Sequence, residues 1–413
     1  MTVGLRRRGA LGLAAVAAVL AMHATAPLAE AGTTGRGAPR GDARFDAITG
    51  PMKDVLIRPE DFWVDPSRTL VDVPAVLGGL DAARERAFVE ALAFPRSVAD
   101  TEATREAART IVRDGLADAG FSTQELAVTN PRYDLESPDI YAELAGTQCP
   151  SKVLVIGGHY DSVRNGPGAD DNASGIAAVV ELAHALRDHP LPVSVRFVGF
   201  SFEETGYWGS KAMAARDRAD GVDVIGAASF DMIAYTSAAK DPLTNLPSSR
   251  YLVVVSDPGS EKLPNLFAAG ALRYVPEALL YGLVIDPKVL PDINRSDHAS
   301  YEAEGFDGMI ANDVGVVRNP NYHRPTDTVD TLDWPFLARS TRALAAGAAT
   351  FGSVDQDRNG TADACEGKLV APPTTTTTAT SASTVSSPEA TTTSTLPGPT
   401  AAGAVDGSPG YVG

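Results

Sequence analysis

Residues 157–175, GGHYDSVRNGPGADDNASG, constrain this chain more than any other stretch. The apolar run Lys152-Val153-Leu154-Val155-Ile156 feeds into them, and an apolar helical pattern, residues 176–182, leaves them. A buried strand that passes through a loop into a helix is the repeating unit of an α/β sheet. This loop carries His159, Asp161, Asp170 and Asp171. Imidazole and carboxylate brought together at a strand end make a place to hold a cation.

The rest of the chain reads as more of the same architecture. Residues 81–94 have helical spacing, and a second helix runs from Asp100 or Thr101 through Ala119, with Gly120 as its stop. Residues 121–129 and 139–144 alternate apolar and polar and read as strands. The helix after the loop starts near Asn172 or Ser174, both good caps, and stops at Pro190. Further strands are predicted at residues 193–202, 222–230, 251–256 and 308–312, and a closing helix at 332–351. Strands alternating with helices predict a three-layer α/β/α fold with a mixed, mostly parallel central sheet.

That domain covers residues 79–353, and different segments flank it. Residues 1–31 combine Arg6-Arg7-Arg8, a short apolar core and Ala-x-Ala sites, the pattern of a secretory signal. The arginines loosely fit a twin-arginine signal, and the core is too short to span a bilayer, which argues against a retained anchor. Residues 32–78 read as an extended lead-in too short for a further domain, so any lid comes from loops such as 236–249 and 276–295. Residues 368–413 hold a Thr/Ser/Pro tract that cannot bury a core and reads as a disordered stalk. The expected location is outside the cell, with the stalk either a link to the cell wall or a segment that is trimmed. The net charge of −17 argues against nucleic acid as a partner. A monomer without a membrane span in the mature chain is expected. Cys149 and Cys365 could pair in an oxidising compartment, two free thiols being the alternative, and they are too few for a thiolate metal site.

The polar residues fall at successive strand ends. His159 and Asp161 follow one predicted strand, Glu203-Glu204 another and Asp231 a third, while His323 lies in a loop beyond a fourth. Sites in α/β sheets lie outside the carboxyl ends of the strands. Such a carboxylate cluster is costly unless cations neutralise it, and imidazole plus carboxylate without thiolate is a zinc-type set. His184 and His189 read as solvated, and His298 as a structural hydrogen-bonding residue.

Five segments carry a family resemblance: Gly158-His159-Tyr160-Asp161-Ser162 with Gly168-Ala169-Asp170-Asp171-Asn172, then Phe202-Glu203-Glu204, Phe230-Asp231-Met232, Ser296-Asp297-His298 and His323-Arg324-Pro325-Thr326-Asp327. In this order they resemble the co-catalytic di-zinc aminopeptidases of the bacterial leucyl aminopeptidase type, over about residues 80–352. The resemblance implies a zinc exopeptidase-like fold and two zinc ions per chain. It makes Asp171 the bridging carboxylate, with His159 and Asp231 on one metal and Glu204 and His323 on the other. Glu203 becomes the general base toward a metal-bridging water. Asp161 would brace His159 and Asp327 would brace His323. The implied substrate is the N-terminus of a peptide or protein. The same clan contains carboxypeptidases, dipeptidases and glutaminyl cyclases, and a catalytically silent binding module is a further alternative. Some relatives place an oxyanion-binding tyrosine just before the Ser-Asp-His segment, where this chain has Pro291-Asp292-Ile293-Asn294-Arg295. Either Tyr274, Tyr281, Tyr301 or His298 replaces it, or the metals suffice.

A second metal pattern follows the domain. Residues 354–367 contain a D-x-[DN]-x-[DN]-G-x5-E match that offers Asp355, Asp357, Asn359, Thr361, Asp363 and Glu366 to calcium, with Gly360 at the turn. The alternative is an acidic hinge.

Overall fold

The structure, a computed structural model, describes residues 43–369. The predicted signal segment, and the predicted tail from residue 370 onward, lie outside the described residues.

The centre of the fold is β3 (Cys149–His159), whose Val/Leu/Ile run at residues 153–156 is buried on both faces. Its side chains alternate between two cores. Leu154 and Ile156 pack with the helices Ala82–Leu92, Glu102–Asp118, Gly175–Arg187 and Trp334–Ser353. Val153 and Val155 pack with Val198, Phe200, Met213 and Ala214 on the other side. The remaining strands are β1 (Gln124–Asn130), β2 (Leu135–Leu144), β4 (Val193–Phe200), β5 (Asp223–Phe230), β6 (Leu252–Ser256), β7 (Leu280–Val284) and β8 (Gly308–Asn312). They form one sheet in the order β1-β2-β4-β3-β5-β8-β6-β7. The β4-β3-β5-β8 centre is parallel, while β1 and β2 are antiparallel at one edge and β6 runs antiparallel to β8. This is the mixed α/β/α sandwich expected, and it aligns the carboxyl ends of β3, β4, β5 and β8.

Thr101 does cap the second helix, accepting from Thr104 N, and Gly120 ends it in the left-handed conformation at φ +93°. The sequence reading fell short in four places. The segment 276–295, expected to be a lid, contains edge strand β7. The helix Lys262–Tyr274 carries Pro264 and Gly270, which hid its periodicity. The lead-in does not stay extended from residue 43 onward. It makes the short helices Ala43–Asp46 and Val73–Gly78, and a one-residue bridge, Leu56 to Leu283, on the β7 edge. Unpaired strand edges are usually covered in this way. His184 is half-buried near Asp118 instead of solvated. Among the described residues, no helix is long and apolar enough to cross a membrane.

Cys149, at the start of β3, is disulfide-bonded to Cys365, with Cα atoms 5.6 Å apart across 216 residues of sequence. This crosslink ties the segment after the closing helix to the central strand.

One buried acid lies far from the site. Glu85 is buried and accepts a hydrogen bond from the Thr341 hydroxyl. Burial pushes its carboxyl up to about 8, against that hydrogen bond, and the Glu181 charge adds to the rise. The native chain thus keeps a proton that the unfolded chain releases from about pH 4.5 upward. Its contribution to stability is full below that pH and is lost as pH rises toward about 8. Thermal melts of wild type and Glu85→Gln across this window should diverge, wild type losing more stability as pH rises. Parallel curves would exclude Glu85 as the titrating group.

Candidate metal centre

His159 is the last residue of β3, one place inside the strand and not in the loop beyond it. Glu203 and Glu204 follow β4, Asp231 follows β5, and His323 lies in the connection after β8. Asp171 sits in the turn Ala169–Ser174 that leads from β3 into the helix Gly175–Arg187. The fold therefore brings all six sequence-predicted groups to one end of the sheet.

The two oxygens of Asp171 face different imidazoles. Oδ1 is 3.2 Å from His159 Nε2, and Oδ2 is 3.3 Å from His323 Nε2. Asp231 Oδ1 completes the first group at 3.5 Å from His159 Nε2. Glu204 Oε2 completes the second at 3.2 Å from His323 Nε2. Zinc binds nitrogen and oxygen at about 2.0–2.2 Å in tetrahedral geometry, which sets neighbouring ligand atoms about 3.4 Å apart. These separations are those of ligands around an ion. Neither ring nitrogen of His159 has a hydrogen-bond partner, nor does Glu204 Oε1, although all are buried. Donor atoms of His159, Asp171 and Glu204 lie within 4.8 Å of one another, as do those of His159, Glu203 and Asp231. The donor set, its spacing and its orphaned atoms all fit zinc.

The electrostatics without a cation are severe. Burial holds the His159 imidazole down, but Glu203, Asp161, Asp171 and Asp231 together drive it well above the ordinary range. His323 rises to about 10, burial being outweighed by the carboxylates of Asp171 and Glu204. Burial, and then the Asp171 charge, lift Glu204 to about 7. Glu203 is raised well above the usual carboxylate range, first by burial and then by Glu204 and Asp231 against the pull of His159. Asp171 goes the other way: burial is overcome by its two imidazole partners.

The supporting bonds differ from the expectation in detail. Asp161 Oδ1 is 3.5 Å from His159 Nδ1. That is outside hydrogen-bond geometry, and its better bonds are from the backbone N–H groups of Glu203 at 3.1 Å and Glu204 at 3.3 Å. Asp161 thus aligns the β4 end at least as much as it braces His159. Asp327 does not serve His323. Its oxygens accept from Asp170 N at 3.0 Å and Asp171 N at 3.1 Å, so it holds the bridging residue. Asn172 caps the following helix as expected, and it does more. Its amide donates to Phe230 O at 2.8 Å, and its oxygen accepts from Gly175 N and Met232 N, fastening the loop to the β5 end. Gly168 has φ +59°, and a Cβ there would lie 2.3 Å from Asp171 O, so glycine is needed where the loop turns back.

Three residues beside the ligands hold left-handed backbone without being glycine: Phe202, Met232 and His323, with φ between +56° and +58°. Such conformations cost of order 1–3 kcal/mol and persist where the surroundings impose them, commonly at functional sites.

Sequence reasoning missed several residues here. Arg96 is buried, and its guanidinium donates to the backbone carbonyls of Tyr160, Pro167 and Gly168. It closes the loop from behind and sets a positive charge among the carboxylates. Nothing in the run Pro95-Arg96-Ser97 signals this. Tyr322 stacks on His323, ring centroids 3.8 Å apart, and its hydroxyl accepts from Arg295 Nη2 at 3.3 Å. It lines the cavity beside the ligands, whereas the four residues considered for the oxyanion do not. Tyr274 bonds Pro66 O, Tyr281 packs on Phe45 and Tyr251, Tyr301 lies between Phe200 and Phe306, and His298 is buried near the Ile293 backbone. A tyrosine directly before the histidine was the available signal.

The cavity that opens from the ligands has a volume of about 150 Å³ and walls of Val253, Val255, Leu283, Ile285 and Ile310. Asp171, Glu203, Asp231 and His323 close one end.

The second predicted metal site is placed in part. Carboxylate oxygens of Asp355, Asp357 and Asp363 lie within 4.8 Å of one another. Lys368 Nζ already sits there, 2.6 Å from Asp357 and 2.9 Å from Glu366, and Asn359 turns its amide to Glu366. Thr361 donates its N–H to Asn359 Oδ1.

Comparison with known proteins gives the chain a family. The chain is 28% identical over 239 residues to the uncharacterised protein YfbL of Escherichia coli K12, covering 54% of this chain and 72% of that one. It is 26% identical over 259 residues to a probable leucine aminopeptidase 2 of Aspergillus oryzae, covering 57% of this chain but 49% of the relative. Its fold matches LapB from Legionella pneumophila with a TM-score of 0.57 at 23% identity, over 68% of this chain and 74% of that one. The profile of peptidase family M28 matches residues 139–348, a span that contains His159, Asp171, Glu203, Glu204, Asp231 and His323. The chain belongs to peptidase family M28.

Proposed function

We propose that this chain is a zinc-dependent aminopeptidase that binds two zinc ions and releases N-terminal residues with large apolar side chains. The observation that carries the reading is Asp171, whose two oxygens each face a different histidine, at 3.2 and 3.3 Å. His159, Asp171 and Asp231 would hold one ion, and His323, Asp171 and Glu204 the other. When bound, such a pair of ions polarises the scissile carbonyl and lowers the pKa of a water to about 7.

The chain's own groups do the rest. Glu203 is buried, is not needed as a ligand and lies 4.0 Å from His159 Nε2. It takes the proton of the attacking water and returns it to the departing amine. Tyr322 keeps its proton, because burial and the Asp171 charge raise its hydroxyl. With Arg295 donating to its oxygen, that proton is left to donate to the developing oxyanion. The carboxylate-rich end suits the α-ammonium of a free N-terminus, and the apolar cavity takes the first side chain. An apolar cavity of roughly 150 Å³ accepts a benzene-sized group, which matches Phe or Leu. Export follows from the N-terminal pattern and is supported by the Cys149–Cys365 disulfide, since such bonds persist in oxidising compartments.

The test joins metal analysis to a panel of aminoacyl amides. The purified chain should hold two zinc ions, and stripping them with a chelator should abolish turnover until zinc is restored. Glu203→Gln should keep its zinc and lose about 10²–10⁴-fold in kcat. Unchanged turnover would remove Glu203 from its role. A single bound zinc with cyclisation of N-terminal glutamine would favour the cyclase reading instead.

Tyr322→Phe should lower kcat by about 10²-fold and change KM little, as expected for a donor used mainly in the transition state. An equal loss in KM with kcat intact would make it a ground-state contact only.

The proposal extends to calcium on the loop of Asp355, Asp357, Asn359, Thr361, Asp363 and Glu366, with Lys368 displaced. Millimolar calcium should then raise the thermal midpoint of the wild type but not of Asp357→Ala. Equal midpoints with and without calcium would leave the loop as an internally neutralised hinge.

A further inference from the structure

The second face of the sheet is covered unevenly. Over β3 and β4 it meets the helix Trp208–Asp220. Over β6 and β7 its side chains Val253, Val255, Tyr281 and Leu283, with Tyr251 just before β6, meet Phe45, Ile48, Met52 and Leu56 of the lead-in. The cavity beside the ligands lies on this β6–β7 face, and Met52 and Val55 form part of its wall.

The lead-in is fastened there by backbone bonds on two sides. Ile57 N donates to Gly282 O at 2.8 Å and Val284 N to Val55 O at 3.1 Å, which seats it on the β7 edge. Thr49 N donates to Thr244 O at 3.2 Å and Met52 N to Leu243 O at 3.1 Å, which seats it on the loop of residues 236–249. Gly50 lies so close to that loop that a Cβ would fall 2.1 Å from Leu243 O. Leu243 is itself a wall residue. The loop is held in turn by buried Asp241, which accepts from Leu243 N, Thr244 N, the Ser249 hydroxyl and the Tyr251 hydroxyl. All of the lead-in lies N-terminal to the stretch 139–348 that defines the family match.

We infer that the lead-in, through Met52 and Val55, is the specificity-determining wall of the substrate pocket: it sets how large an N-terminal side chain the chain accepts. This rests on the aminopeptidase reading. The catalytic end of the cavity is made by residues of the family-matched stretch, while the lead-in closes part of the apolar wall. Changes in the lead-in should therefore alter which substrate is used while leaving the metal ligands in place.

The experiment uses the full chain and three variants. Met52→Trp fills the cavity, Met52→Ala enlarges it, and Gly50→Ala lifts the lead-in from Leu243 without touching a wall side chain. For each, kcat/KM is measured on alanyl, leucyl, phenylalanyl and naphthylalanyl anilides, with zinc content and thermal midpoint recorded. Met52→Trp should shift the phenylalanyl-to-alanyl ratio toward alanine by roughly 10-fold or more, mainly through KM. Met52→Ala should shift the naphthylalanyl-to-leucyl ratio the other way, and Gly50→Ala should flatten the preference. A purely structural role would lower all substrates together, and opposite shifts from the filling and carving variants would not occur. If wild type works and the ratios stay put, the inference is wrong while the aminopeptidase reading stands. If wild type releases no amine from any anilide, both fall. Should Met52→Trp melt below the assay temperature, the Met52→Ala and Gly50→Ala ratios decide.

Discussion

The structure depends on one carboxylate being shared. Asp171 offers one oxygen to His159 and the other to His323, and both separations lie at the long end of the hydrogen-bond range. Around it, Glu203, Glu204, Asp231 and Asp161 bring further negative charge into buried surroundings. Such a cluster is costly without a compensating cation, and the buried atoms of His159 and Glu204 that have no hydrogen-bond partner are free to hold one. The neighbouring polar groups act on this cluster through the backbone. Asp327 takes the N–H groups of Asp170 and Asp171, Asp161 takes those of Glu203 and Glu204, and Asn172 ties the loop to the β5 end. A carboxylate bound to N–H groups that precede a ligand fixes the ligand's direction without competing for the ion.

This explains why the site sits where the strands end. Parallel β4, β3, β5 and β8 expose their C-terminal edges on the same side, so each supplies a rigid origin for one ligand or its connection. The left-handed turns at Phe202, Met232 and His323 bend the chain sharply enough to aim the adjacent side chains inward. Arg96 closes the arrangement from behind, joining the carbonyls of the loop by hydrogen bonds that only a guanidinium can make at several angles at once.

His159, Glu203, Glu204 and Asp231 were legible in the sequence because each lies at or just beyond an apolar run, so their convergence follows from topology, and the α/β/α sandwich was legible with them. His323 was placed only in a loop beyond a strand, and Asp171 joined the set through the family resemblance. What could not be read is whatever depends on long-range partners. Arg96 acts through carbonyls far along the chain. Asp327 sits near His323 in sequence but spends its oxygens on residues 157 and 156 positions away. Strand β7 is a five-residue piece with a central glycine, held by its pairing with β6. Tyr322 lies 27 positions beyond Arg295, and the fold brings its loop beside the stretch that precedes the Ser-Asp-His segment.

The two ends of the cavity obey different physical rules. At the metal end, geometry is set by charge and tolerates little change, since moving one oxygen leaves another buried and unpaired. At the apolar end, the apolar side chains of β6, β7, β8, the loop of residues 236–249 and the lead-in contribute through contact area. Contact area is additive and forgiving, so a wall residue can be exchanged for one of similar size at modest cost. The covering of the β6–β7 face is accordingly the part of this molecule that tolerates exchange best. A segment with no chemistry of its own, which reads in the sequence as a featureless lead-in, occupies that face here and shapes the space next to Glu203.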